Sequence, residues 1–383
     1  MAMQTSGQSQ QNSAAQATSR PLYQQPALWA LVIILVAIVV AVVAALGGGD
    51  DGQAASVASA SATPAPVAQL VGGTVAIGAD NAAQVEELDQ LGQNPVSQVA
   101  WSPDGQTLAL ALSAGVALYN AADLDAPPSL LQGHSGWVMD VAWSPDGTQV
   151  VSGGTDGMVR VWAVTQGDGA SAATLAYTLE GHTGWVWAVA WSPDGAQVAS
   201  AGADGTVRLW DAAQGKQLLQ WEAHPGGARS VAWSPDGASL ASAGRDGAVR
   251  VWAANDGALT QTLEGHTGLV RCVAWSPDGR LLASGGDDGT VQLWNASTGA
   301  LLQTLQGHTA AVTSVAWSPD SAVLASGSFD HIVALWNARQ GVLLSTVYGH
   351  AWAVRSVAFS PDAMHLASAS ADQTVRLWGV PEG

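Results

Sequence analysis

The chain has 383 residues, 30 of them acidic and 12 basic, for a formal net charge of −18, and it has one cysteine. Nonspecific nucleic-acid binding needs clustered Lys and Arg, so this balance argues against a nucleic-acid partner. A single cysteine excludes an internal disulfide.

Residues 1–26 are rich in Gln, Ser and Ala, carry one charge (Arg20), and read as a disordered tail. Residues 27–46 are uninterruptedly apolar, which is enough to span a bilayer as a single transmembrane helix. Trp29 sits where an interfacial anchor belongs, with Arg20 on one flank and Asp50 and Asp51 on the other. The positive-inside rule then puts the N-terminus in the cytoplasm and the rest outside. The alternative is secretion after signal cleavage, but a signal peptide has a shorter apolar region and a more basic front. Residues 47–72 are Gly, Ala, Ser and Pro-rich and read as a flexible linker, with a coil span on the order of 30 Å.

Beyond the linker the chain repeats itself. Trp-Ser-Pro-Asp-Gly begins at Trp101, Trp143, Trp191, Trp233 and Trp275, and variants begin at Trp317 and Phe359. The spacing is 42 residues, except for 48 between Trp143 and Trp191. A fixed period of this size marks one supersecondary unit used seven times. Within each unit, short runs of Val, Leu, Ala and Trp alternate with small or polar residues between turn signals, which reads as strands. Pro193 fits the second position of a type I turn, and Asp204-Gly205 suits a hairpin needing positive φ. Residues 166–174, inside the one longer interval, read as an extended loop. Cys272 sits in an apolar strand as a buried small hydrophobe.

The unit carries further marks. Gly-His recurs at Gly133-His134, Gly181-His182, Gly265-His266, Gly307-His308 and Gly349-His350, with Ala223-His224 in the fourth unit. A strand ending in Trp recurs at Trp162, Trp210, Trp252, Trp294, Trp336 and Trp378. On these motifs the chain resembles the WD-repeat β-propeller family over nearly four-fifths of its length. The resemblance implies an all-β fold, a seven-bladed β-propeller of four-stranded blades spanning residues 73–383, preceded by the transmembrane helix and linker. Counting strands leaves the last blade without its outer strand, and residues 81–91 occupy the matching offset and should close it.

Units two to seven also hold a His, a Ser and an Asp at fixed spacing. A catalyst needs one such constellation, and six copies point to a role in every blade. The family resemblance implies buried tetrads with the strand Trp: His134, Ser152, Asp156 and Trp162; His182, Ser200, Asp204 and Trp210; His224, Ser242, Asp246 and Trp252; His266, Ser284, Asp288 and Trp294; His308, Ser326, Asp330 and Trp336; and His350, Ser368, Asp372 and Trp378. The first unit has Tyr119 for Trp, Ser113 for Asp and Gly92 for His, so it is expected to lack the network and be the softest blade. Arg160, Arg208, Arg250 and Arg376, two residues before the Trp, are expected to stack between blades.

A propeller does not name its function. In the family, partners dock on the Gly-His-loop face, through side chains three and five residues after the His and one before the turn Asp. Those offsets pick out Trp137, Met139, Trp185 and Trp187, then Arg229, Arg245, Arg271 and Arg355, with Phe329 from the sixth unit. An aromatic arc beside a basic arc suits a protein or peptide partner that is acidic and partly apolar. The expectation is a membrane-tethered protein–protein interaction scaffold. A surface adhesion or carbohydrate-binding propeller is the alternative, and a propeller enzyme a more distant one. No phosphate loop, metal-ligand cluster or paired-carboxylate site stands out from the repeats, so no cofactor, metal or catalytic residue is expected.

Overall fold

The computed structural model describes residues 73–382, apart from 93, 114 and 167–170. The expected tail (1–26), transmembrane helix (27–46) and linker (47–72) lie outside the described residues. Among the described residues, no helix is long and apolar enough to cross a membrane.

Each of the first six repeats folds as one antiparallel sheet, a blade, with its four strands in chain order, and the seventh repeat supplies three strands of its own blade. Blade 3 is representative: Val186–Trp191 is innermost, followed by Gln197–Gly202, Thr206–Asp211 and the outermost Lys216–Glu222. The second strand is buried on both faces, and its composition follows from that. In blade 1 it reads Thr-Leu-Ala-Leu-Ala-Leu, buried throughout, because a neighbouring blade covers each side. Apolar clusters join adjacent blades. Val151, Val159 and Val161 of blade 2 pack on Val186, Val189, Trp191 and Trp210 of blade 3. Ala367, Ala369, Val375 and Leu377 of blade 7 pack on Val96, Val99, Leu108 and Leu110 of blade 1, which closes the ring. Seven blades of four strands around a channel make this a β-propeller.

The Trp-Ser-Pro-Asp-Gly segment is the turn between the two inner strands. In blade 3 the Ser192 Oγ donates to Asp194 Oδ1 (2.6 Å) and accepts from the Gln197 N–H (2.8 Å). The closing Gly195 has φ +70, where only glycine is unstrained. Ser321 (φ 59) and Ala363 (φ 60) hold the same position in blades 6 and 7, at about 1–2 kcal/mol each. The Trp looks sideways: the indole N–H groups of Trp101, Trp191 and Trp317 donate to Ala358, Ala142 and Ala274 carbonyls of the preceding blade.

Between inner strands, one residue of each of several blades accepts a backbone N–H from the next. Ser230 accepts from Val273, Ser314 from Val357, and Ser356 from Val99, each at 3.2 Å. In blade 2 the same place holds Asp140, whose Oδ2 accepts from the Val189 N–H at 2.7 Å.

The last blade takes its outer strand from the start of the propeller. Glu86–Gly92 pairs antiparallel with Thr374–Pro381, with Gln90 opposite Arg376 and Leu91 opposite Val375. The strand starts at Glu86 rather than at residue 81. Asn81 is held off the ladder because its Oδ1 accepts from the Gly78 N–H and its Nδ2 donates to the Ala76 carbonyl. A further piece, Thr74–Val75, pairs with Val380 and Pro381, and Ile77 and Ala82 are buried among Val323, Val347 and Val380. Residues 166–174 also differ from a plain loop. Val159–Gln166 and Ser171–Leu179 continue the blade 2 ladder, with Ser171 opposite Gln166, so the insertion lengthens a hairpin.

Deleting residues 82–91 exposes the edge of Thr374–Pro381 and removes Ala82 from the core. The expected product self-associates in size-exclusion chromatography with light scattering. A monomer with one cooperative melt would contradict this closure.

Candidate functional site

Two sets of side chains compete for a functional role, and their geometry separates them. The first is the repeated tetrad. In blades 2 to 7 the Trp Nε1–H donates to the Ser Oγ at 2.8–2.9 Å. That Oγ lies 2.7–2.9 Å from the His Nε2, and the His Nδ1 lies 2.8–3.1 Å from an Asp oxygen. A carboxylate can only accept, so Nδ1 carries the proton and the chain runs Trp to Ser to His to Asp. All six serines are fully buried, which leaves no access for a substrate. Burial holds His134, His224 and His350 below the ordinary imidazole value, against the pull of their Asp partners. Burial pushes Asp156 up, but hydrogen bonds from His134, the Ser135 N–H and Arg160 outweigh it and hold the carboxyl at about 2.

Of the arginines two residues before the Trp, two bond the tetrad Asp and two bond an acceptor on the outermost strand. Arg160 donates to Asp156 (2.8 Å) and Arg250 to Asp246 (2.5 Å). Arg208 donates to Gln217 (2.5 Å), and Arg376 to Glu87. Each of these guanidinium groups is thus within hydrogen-bond reach of an acceptor in its own blade. Blade 1 has no network. Leu110 stands at the Ser position, and with Tyr119 it joins an apolar cluster of Leu108, Leu112 and Val96.

The second set lies on the Gly-His-loop face. All seven inner strands line one cavity of about 750 Å³, the mouth of the central channel. One residue per blade, five after the His position, forms its ring: Ser97, Met139, Trp187, Arg229, Arg271, Thr313 and Arg355. Phe329 adds to the wall, together with His331 and Trp352, which the offsets did not select. Trp137, Trp185 and Arg245 stand outside the cavity on the surrounding rim. Trp137 is 39% exposed, Trp185 48% and Trp352 65%.

The aromatic and basic arcs meet. Trp185 packs edge-on against Trp187, with ring centroids 5.0 Å apart. The Arg229 guanidinium lies over the Trp187 ring at 3.6 Å, and that of Arg271 over Phe329 at 4.7 Å. Arg271 is also paired with Asp287, one residue before the turn Asp of blade 5. Burial lowers Arg229 to about 10, and the charges of Arg271, Arg245 and Arg355 add to the depression. Cys272 borders the cavity, its Sγ 3.8 Å from the Gly285 carbonyl, and burial pushes its thiol up to about 12, which makes it a poor nucleophile. Among the described residues there is no cluster of side chains that could hold a metal.

Residues 126–163, 173–211 and 341–379 match the WD domain, G-beta repeat, and residues 227–340 match the IFT122 first beta-propeller. No curated protein matches the chain. With the seven four-stranded blades, these matches support the WD-repeat propeller family for this chain. Propellers of that family are generally non-enzymatic scaffolds that bind proteins.

Asp140 gives the site a pH dependence. Burial pushes its carboxyl up to about 7, against N–H donation from Val189 and Val141 and the Gln98 side chain. A folded value above the unfolded one means the folded state holds the extra proton. Stability from this group is therefore full below about pH 4 and is lost as pH rises toward 7. Asp140→Ser installs the acceptor used in blades 4, 6 and 7. Its stability relative to the native chain should rise with pH, by on the order of 1–4 kcal/mol across that window. Urea denaturation at pH 5 and pH 8 measures it, and a pH-independent difference would contradict the assignment.

Proposed function

We propose that this protein is a membrane-tethered interaction scaffold that docks an acidic, partly apolar protein segment on the Gly-His-loop face of its propeller. The observation that carries this reading is the cluster of exposed aromatic side chains, Trp137, Trp185 and Trp352 with Phe329 at 42% exposure, around a channel mouth rimmed by arginines. Exposed aromatics in one neighbourhood are uncommon on a surface without a partner. Trp and Arg are the residues that most often dominate interface energetics. Arg245, exposed on the rim, and Arg229, Arg271 and Arg355 in the mouth supply positive charge within a chain of net charge −18, so an acidic segment is steered to this face.

The tether in this reading is the apolar run at residues 27–46, with a cytoplasmic N-terminus and an extracytoplasmic propeller. Residues 47–72 would hold the propeller close to the bilayer while leaving it free to turn.

Detergent-solubilised full-length chain panned against a displayed random peptide library should enrich acidic peptides containing aromatic or aliphatic residues. A Trp137→Ala/Trp185→Ala variant should bind them about tenfold or more weakly. Equal binding by both proteins would contradict the proposed face. The same pair on a glycan array tests the carbohydrate alternative, which the exposed indoles would also suit.

A further inference from the structure

We propose that the channel mouth is a binding site for a compact oxyanion of two or more negative charges, a phosphate or polycarboxylate group, seated on the channel axis between Arg229, Arg271 and Arg355. The site lies in the channel rather than on the rim. It stands whether or not a protein docks on Trp137 and Trp185.

Arg229, Arg271 and Arg355 project from the inner strands of blades 4, 5 and 7 into one cavity, and so approach its axis from more than one side. Arg271 has Asp287. Among the described residues, the side chains of Arg229 and Arg355 have no ion pair, and none of their guanidinium nitrogens makes a hydrogen bond. Placing guanidinium groups together in a partly desolvated site is costly unless an opposite charge joins them. Burial and the cationic neighbours depress Arg229, and the more distant pull of Asp287 only partly offsets them.

The remaining groups around the cavity do not supply that charge. Asp140 lines the same cavity, but its oxygens accept from the Val141 and Val189 N–H groups. Thr313 spends its hydroxyl on the Gly327 and Val354 carbonyls. The arginines, in contrast, are held ready. Trp187 supports the flat face of Arg229 and leaves its N–H edge free for oxygen acceptors, while Phe329 supports that of Arg271, whose Nε–H donates to Asp287 and whose terminal nitrogens remain for a ligand. A cavity of about 750 Å³ falls in the range of small-ligand sites. It exceeds what a bare phosphate fills, so the anionic group can be part of a larger molecule or of an acidic side chain of a docked segment.

Isothermal titration calorimetry on the detergent-solubilised full-length chain, with citrate and with inorganic pyrophosphate at constant ionic strength, tests the site. Saturable binding at one site per chain is expected. Arg229→Gln and Arg355→Gln should each weaken it about tenfold or more, with far-UV circular dichroism confirming that both variants fold. Arg280→Gln, on an exposed Ser-Pro-Asp-Gly turn away from the channel mouth, should leave it unchanged. A second titration with an Asp/Glu-rich peptide present separates the two sources of the anion. Competition with citrate assigns the channel to a side chain of a docked segment, and independent binding assigns it to a free small molecule. No saturable binding of either anion, or binding that survives both channel substitutions, would overturn the proposal. Loss of peptide binding in Trp185→Ala with citrate binding intact would show the rim and the channel to be separate sites.

Discussion

Six blades depend on a single hydroxyl each. The buried Ser of the tetrad accepts from a Trp on the third strand of its blade and donates to a His from the loop that enters the innermost strand, and the His is anchored to the turn Asp between the second and third strands. One oxygen thus ties three segments together in a place water does not reach. Leaving any member out strands a buried donor or acceptor, at about 1–3 kcal/mol per group, so the network acts as a unit. It also pins the loops and turns that form the Gly-His-loop face.

That pinning shapes what the face can do. Because the loops are held from beneath, the residue five positions after the His can change from blade to blade without disturbing the strands. The ring around the channel is accordingly unequal: a serine, a methionine, a tryptophan, a threonine and three arginines. The repeated residues are satisfied within the protein, whereas several ring residues are not. Arg229 is stacked and partly desolvated without an ion-paired or hydrogen-bonded partner among the described residues, and a group that costs folding free energy where it stands is a candidate for work done elsewhere. The rim aromatics complete the contrast, since they leave apolar surface exposed on the face that the tetrads hold rigid.

Much of this was legible in the sequence because the period is a ruler. The 42-residue spacing, broken once by a six-residue insertion, made the blade count, the tetrad partners and the offsets of the ring readable, since each is a fixed distance from a motif. The same ruler located the strand that completes blade 7, although its start at Glu86 depends on an Asn81 side-chain turn that no period marks. Features outside the repeat were not legible. Thr74–Val75 and Ile77 sit in a stretch too short for any alternation to show, and their partners lie some 300 residues away. The pairing of Arg160 with Asp156 crosses a turn, so strand periodicity could not place the two side chains together. Asp287 and Arg271 stood at separately chosen offsets, yet only the fold shows that they neutralise each other. Trp352, two residues after its His, fell between the offsets.

The repeated residues serve the scaffold, whereas the unequal ones are those proposed to serve a ligand. Blade 4 contains one of each, and measuring the unfolding free energies of Ser242→Ala and Arg229→Thr side by side tests the claim most directly. Ser242→Ala should lose about 2 kcal/mol or more, because the Trp252 and His224 nitrogens lose their shared partner. Arg229→Thr, which copies the residue found in blade 6, should be as stable as the native chain or more so, since it removes a partly desolvated charge that has no ion-pair partner among the described residues. A clear loss of stability in Arg229→Thr together with an unaffected Ser242→Ala would contradict the account.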